Sequence, residues 1–329
     1  MKRINHLVWL FTFCVAIVAC SGTAKREDDR ITIAVIPKGT THEFWKSVHA
    51  GAVKASRELD IEIFWQGPLK EDDREEQIKV VDSFKARRVS GIALAPLDEK
   101  ALRVPVRNAV RAGIPVLVLD SALDSDDHIS FVSTDNYRGG RVAGDHLADI
   151  LGGEGKVVLL RLQEGSSSTM KREQGFLDAI AEHDGIEVVS SNQYGGVTTE
   201  TSFRASENLL SALGAATGGV DGVFCPNEST TFGMLRALQD AGLAGKIKLV
   251  GFDSSQQLVD AMREGELHGL VLQDPFNMGY LAVKLLVGHL SGEAIEKRVD
   301  TGLTLVTQKN MDEPRVHQQL LPDLNKYLN

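Results

Sequence analysis

The residues best suited to chemistry sit in short segments that each follow an apolar run. These are Pro37-Lys38-Gly39-Thr40-Thr41-His42-Glu43-Phe44-Trp45, Asp120-Ser121, Cys225-Pro226-Asn227-Glu228, Val250-Gly251-Phe252-Asp253 and Leu272-Gln273-Asp274-Pro275. Together they offer carboxylates, amides and an adjacent aromatic pair. That set suits a polyol: a carboxylate accepts from two neighbouring hydroxyls, and an amide donates and accepts at once. An aromatic face covers C–H surface, and related aromatic contacts are worth about 0.5–1.5 kcal/mol. Plainer roles stand beside these. Asp120, Asn227 and Asp253 could cap a turn or a helix, and Phe44 and Trp45 could be core residues opening an amphipathic helix.

Other candidate chemistry is weaker. Gly152-Gly153-Glu154-Gly155-Lys156 lacks the first glycine and the following Ser/Thr of a phosphate loop, and reads as a turn before a strand. Gly165-Ser166-Ser167-Ser168-Thr169 lacks the Gly-x-Ser-x-Gly spacing of a nucleophile elbow. The 9 histidines show no zinc spacing. Paired carboxylates could serve glycoside hydrolysis, which needs an acid and a base across the bond, but the pattern favours binding. The chain is read as a non-enzyme without cofactor or metal.

The elements that position these segments alternate. Ile31–Ile36, Ile61–Trp65, Gly91–Ala95 and Pro115–Leu119 are short and rich in branched residues, as buried parallel strands are. Glu43–Leu59, Asp72–Arg88 and Asp98–Ala112 between them have helical spacing. The rhythm restarts with strands at Lys156–Arg161, Glu187–Ser190, Gly222–Cys225, Lys248–Phe252 and Leu267–Leu272. Helices are expected at Asn136–Leu151, Thr169–His183, Thr199–Leu213, Asn227–Ala241 and Pro275–Leu290. Repeated βα units predict parallel sheets covered on both faces. Two rounds of the pattern predict an α/β fold of two Rossmann-like lobes, with ligands beyond the carboxyl ends of the strands.

The N-terminus reads as an export signal. Lys2 and Arg3 precede an apolar run from Leu7 to Ala19, and Cys20 closes the string Ile17-Val18-Ala19-Cys20. The run is short for a membrane span. Ile-Val-Ala-Cys resembles a bacterial lipobox, which implies a signal peptide over 1–19, lipid on Cys20 and a charged tether over 20–30. An uncleaved anchor or ordinary cleavage nearby is the alternative. Cys14 leaves with the signal, so Cys225 is the one thiol left; it reads as a small buried hydrophobe. Removing residues 1–19 takes away two basic residues and moves the net charge from −9 to −11, which gives no electrostatic reason to hold nucleic acid.

Several segments, in this order and spacing, resemble the type I periplasmic substrate-binding proteins of the ribose-binding kind, the solute receptors of ABC sugar transporters. They are Ile33–Trp45, Gly113–Asp120, Ser133-Thr134-Asp135-Asn136 through Gly144, Asn227–Gln239, Val250–Asp253 and Gln273–Gly279. The resemblance runs from Ile31 to about Lys309. It implies two lobes joined by a three-strand hinge, 31–134 plus 274–300 and 135–273 plus 301–329, closing on a small molecule. It places ligand contacts at Lys38, His42, Phe44, Trp45, Asp120, Asn227, Asp253 and Gln273, with Ser121 and Met170 as further candidates. It also matches Arg172 to a basic position expected to be structural.

Ser121 and Met170 stand where the ribose-binding pattern has arginines, and a mobile lysine such as Lys38 does not reproduce a guanidinium fork. The ligand expected is therefore a monosaccharide other than D-ribose, a polyol, or an acidic sugar paired with Lys38. The aromatic expected within Tyr194–Phe203 has no clear match. The implied partners are that ligand, an ABC permease and, through the anchor, a membrane; the chain is expected to be a monomer. A lipid-anchored sensor serving a chemoreceptor or membrane kinase is the alternative function. A sugar-responsive repressor would need a DNA-binding helix-turn-helix where this chain has its export signal.

Overall fold

The computed structural model describes residues 30–328. The signal peptide expected over 1–19, and Cys20, lie outside the described residues. The first strands are β1 (Thr32–Ile36), β2 (Glu62–Trp65), β3 (Gly91–Leu94), β4 (Val116–Leu119) and β5 (Phe131–Ser133). The second set is β6 (Glu154–Arg161), β7 (Gly185–Tyr194), β8 (Gly222–Phe224), β9 (Lys248–Phe252) and β10 (Gly269–Leu272). Two short strands, β11 (Arg298–Asp300) and β12 (Thr304–Val306), follow late in the chain. One sheet has the order β11-β5-β4-β3-β1-β2 and the other β12-β10-β9-β8-β6-β7. Pairing is parallel except between β10 and β12. Two α/β lobes result, and the chain passes between their sheets after β5, after β10 and after β11.

Alternation along each strand explains why the strand sequences are apolar almost throughout. Ile33 and Val35 pack into one cluster while Ala34 and Ile36 pack into another, one on each face of the first sheet. Val157 and Leu159 likewise oppose Val158 and Leu160 in the second. The covering helices of the first lobe are α1 (Glu43–Leu59), α2 (Arg74–Ala86) and α3 (Arg103–Arg111). Those of the second are α4 (Asn136–Leu151), α5 (Ser167–Ile180), α6 (Thr199–Ala212), α7 (Glu228–Asp240) and α8 (Gln256–Arg263). A later helix, α9 (Pro275–Leu290), returns to the first sheet against β3 and β4.

Two helix crossings are close enough to require glycine. A Cβ on Gly51 would overlap the Phe276 carbonyl, which seats α1 on α9; one on Gly140 would overlap the Arg172 carbonyl, which seats α4 on α5. The second crossing matters for function, because it fixes the backbone from which Arg172 projects.

The structure departs from expectation at several elements. α3 begins at Arg103 rather than Asp98, with Pro105 in its first turn where a missing N–H costs no hydrogen bond. Strand β5 and helix α8 have no counterpart in the periodicity reading: three residues are too few to show a period, and Gln256–Arg263 is barely two turns. The tail, expected wholly with the second lobe, splits. Val316 and Leu320 of α10 (Pro314–Leu320) are buried in the second lobe's core, but α11 (Asn325–Leu328) lies against α1. Arg57 donates from Nη1 to the Lys326 carbonyl at 2.9 Å and from Nη2 to the Tyr327 carbonyl at 3.1 Å. These are helix-end carbonyls without partners in their own helix. Cys225 is fully buried in the second core, and burial pushes its thiol pKa well up.

Candidate functional site

The two sheets present their carboxyl ends to each other, and most site residues lie in the loop or first helical turn that follows a strand. The loop after β1 brings Lys38 and His42, and α1 then carries Phe44 and Trp45. Gln77, fully buried on α2, holds this region together: its Nε2 donates to the carbonyls of Pro37 (2.9 Å) and Ala95 (2.8 Å), and its Oε1 accepts from Leu97 N–H (2.8 Å). Asp120 follows β4 and Asp253 follows β9, at equivalent places in the two lobes. Both have left-handed backbone, with φ of 61° and 65°. Few residues other than glycine adopt that conformation, and aspartate is among the more tolerant. It turns each carboxylate into the space between the lobes.

Lys38 is the centre of the contact. Its Nζ is 2.8 Å from Asp120 Oδ2 and donates to Ser168 Oγ at 2.9 Å and Ser166 Oγ at 3.3 Å, both in the opposite lobe. Ser121 reinforces the crossing by accepting the Ser168 N–H at 3.0 Å. On the other side, Gln273 Nε2 donates to Asp253 Oδ1 at 2.8 Å, and Arg172 Nη1 lies 3.7 Å from Asp253 Oδ2. Arg172 also donates to Asn136 Oδ1 and the Pro226 carbonyl and stands 3.9 Å over the Phe252 ring. Burial pulls the Arg172 pKa down and pushes that of Asp253 up, each countered by the other's charge.

Two carboxylates absent from the predicted set also line the site. Glu71, in the loop after β2, accepts from Trp45 Nε1 and lies 2.9 Å from His42 Nδ1. Burial alone would lower the His42 pKa, but the Glu71 charge and hydrogen bond overcome it and raise the value to about 9. Burial would raise Glu71, but His42, then Lys38 and Trp45, bring it to about 2. Glu228, at the start of α7, crosses the cleft: its carboxylate accepts from Glu43 N–H (3.3 Å) and Phe44 N–H (3.2 Å). It thus caps the N-terminus of α1, for which His42 supplies no side-chain cap. Burial raises its pKa to about 7 against the pull of His42. The rule of reading residues just after strands reaches Glu71 as well; polar loop residues on both sides of it hide the signal.

The remaining expectations divide. Phe44 and Trp45 meet edge to face, with centroids 4.8 Å apart; both line the cleft and both belong to the first core, so the two roles coincide. Asn227 lines the cleft but spends its amide on capping α7, with Oδ1 accepting Thr230 N–H at 3.2 Å and Nδ2 donating to Ser229 Oγ. Met170 is not brought to the cleft; Ser168 and Thr169, in the preceding half-turn of α5, line it instead. Arg172, expected to be structural, lines it too. Tyr194 is 42% exposed and turned to Glu164, outside the cleft. An acidic sugar paired with Lys38 fits poorly, because Asp120 already holds that charge and Glu71, Asp253 and Glu228 surround it.

Further bonds join the lobes around this centre. Gln163 Nε2 donates to the Glu71 carbonyl at 2.6 Å, Glu99 N–H to the Gly165 carbonyl at 3.0 Å, and Arg74 Nη2 to the Glu164 carbonyl at 3.1 Å. The lobes are closed on one another, and the cleft retains about 20 Å³, room for about one water. One buried acceptor in it, Gln273 Oε1, receives no hydrogen bond, while Asp120 Oδ2 is held by the Lys38 ammonium alone. An unpartnered buried acceptor costs about 1–3 kcal/mol unless a donor arrives.

A two-lobed α/β molecule with polar and aromatic groups facing each other across a closed cleft is the architecture of a solute-binding protein. The chain belongs to the periplasmic binding protein domain family, whose model matches residues 33–294. It is 29% identical over 313 residues to the ribose import binding protein of Salmonella typhimurium, covering 94% of this chain and 99% of that one. It superimposes on a carbohydrate transporter solute-binding protein of Agrobacterium radiobacter in complex with D-arabinose, with TM-score 0.85 and 33% identity, covering 89% of this chain and 99% of the other. A solute-binding protein of Agrobacterium vitis with bound D-fucose gives 0.83 and 34%, over 88% and 100%.

The His42–Glu71 pair carries a pH signature. The raised His42 pKa contributes stability that is complete below pH 6.5 and lost as pH rises through about 9. The lowered Glu71 pKa contributes stability present above pH 4.5 and lost as pH falls toward about 2. Thermal unfolding followed from pH 5 to pH 9.5 should show His42→Gln narrowing its deficit against the unaltered protein across the alkaline limb. A constant deficit at all pH values would contradict the pairing.

Proposed function

We propose that the protein is the exported receptor of an ABC importer, capturing a neutral monosaccharide between its lobes. The carrying observation is a closed cleft that leaves one buried acceptor, Gln273 Oε1, without a donor and holds Asp120 Oδ2 only through the Lys38 ammonium at 2.8 Å. A sugar hydroxyl is a donor of the kind Gln273 Oε1 lacks, and a second can donate to the free lone pairs of the Asp120 carboxylate. Phe44 and Trp45 supply the apolar wall, Asp253 and Arg172 the charged grip on the far side, and Lys38 and His42 the remaining polar contacts, while Asn227 holds the start of α7 against the cleft. Ser121 acts through Ser168 rather than on the ligand.

A ring-sized ligand exceeds the closed cleft. Entry therefore requires the lobes to part and Lys38 to release Ser166 and Ser168, with the ligand's hydroxyls replacing them on closure. The moving bodies are 31–134 with 274–300 and 135–273 with the part of the tail up to α10. The similar proteins that hold D-arabinose and D-fucose, and those named for import, favour sugar transport over sensing. Anchoring through a lipid on Cys20 is part of the proposal and rests on the Ile17-Val18-Ala19-Cys20 string.

Titration calorimetry with a panel of pentoses and hexoses tests the cleft. Asp253→Asn, a residue that tolerates left-handed backbone, should weaken the bound sugar at least about tenfold, the worth of one charge-assisted hydrogen bond, with the unfolding temperature little changed. An unaltered affinity would remove Asp253 from the site. For the anchor, cells grown with a labelled fatty acid should incorporate it into the protein and lose the label in Cys20→Ala. Equal labelling of both would refute lipidation at that residue.

A further inference from the structure

A far larger space adjoins the cleft. Its volume is about 900 Å³, and Phe44, Asp253 and Gln273 line both compartments. That size falls in the range of small-molecule sites, roughly 300–1,000 Å³. One wall is built by the tail, from Arg315 to Tyr327, beyond the stretch matched by the family model. The tail is held in place at both ends: Ser254 Oγ donates to the Leu320 carbonyl at 2.9 Å in the second lobe, and Arg57 fixes α11 on the first.

The lining repeats the chemistry of the cleft. Phe276 and Tyr327 form an aromatic pair with centroids 5.2 Å apart. The side-chain amides of Gln257, Gln318 and Gln319 line the same space and make no hydrogen bond to other described residues. Aromatic surface with amides that can donate and accept is what a second polyhydroxylated ring requires. Gln273 stands at the partition, its Nε2 spent on Asp253 and its Oε1 without a donor.

We infer that this groove is an annex to the sugar site, and that the preferred ligand is a glycoside or disaccharide with one ring in the cleft and its substituent against the tail. The inference rests on the cleft being the sugar site, as proposed above. It makes the tail a determinant of specificity: the cleft recognises the first ring, and the groove accepts what is attached to it. A free monosaccharide would use the cleft alone.

Calorimetry with D-galactose, D-glucose and D-arabinose, their methyl and phenyl α- and β-glycosides, and the disaccharides lactose, melibiose and maltose tests this. At least one substituted sugar should bind tenfold or more tightly than its parent. Filling the groove with Gln257→Trp or Gln318→Trp, both at exposed positions, should remove that gain and leave the parent sugar within about twofold. Asp253→Asn should weaken both ligands. Parent sugars that bind while no glycoside binds better, or a gain that survives both tryptophan variants, would overturn the annex and leave the cleft standing. A panel in which nothing binds, or in which Asp253→Asn has no effect, would instead overturn the cleft and the annex with it.

Discussion

Lys38 is 2% exposed, and its ammonium is shared between Asp120 in its own lobe and two serine hydroxyls of the other. Desolvating a cation costs several kcal/mol unless it is well paired, so this residue sets conditions on everything near it. Asp120 must reach inward, which its left-handed backbone allows. The opposing loop must present Ser166 and Ser168, and Ser121 holds that loop by accepting a backbone N–H. A larger group at position 121 would occupy the place where the Ser168 backbone approaches.

Charges around the cleft are close to balanced. Lys38, His42 and Arg172 face Glu71, Asp120, Asp253 and Glu228, and the strongest pairings are internal. A neutral ligand with many hydroxyls can enter such a field by exchanging hydrogen bonds, without adding a net charge to a buried site. Glu228 couples this field to closure: its carboxylate reaches the N-terminus of α1 only when the lobes meet, and there it satisfies backbone donors that the helix itself leaves unpaired. Ligand capture and lobe docking thus draw on the same groups.

Much of this was legible from residue pattern. Fully buried strands announce themselves as short branched runs, and the polar residues that follow such strands face the space between the lobes, as Lys38, Asp120, Asp253 and Gln273 do. What escaped depends on contacts distant in sequence. Glu71 matters because Trp45 and His42 converge on it, and Glu228 because α1 ends opposite it. Asn227 has one amide, and whether it serves a helix or a ligand is a matter of local geometry; the capping box claims it. Met170 and Thr169 differ by one position on a helix, a rotation of about 100°, enough to exchange the cleft for its rim. The tail's return to the first lobe rests on Arg57 meeting two carbonyls, which no periodicity records.

The most direct measurement is a crystal structure of the protein with its tightest-binding sugar. This account predicts one ring between the Phe44–Trp45 wall and Asp253, with hydroxyls donating to Asp120 Oδ2 and Gln273 Oε1 and with Lys38 turned from Ser166 and Ser168 to the ligand. A ring bound elsewhere, or one in the cleft that leaves Gln273 Oε1 without a donor, would contradict it.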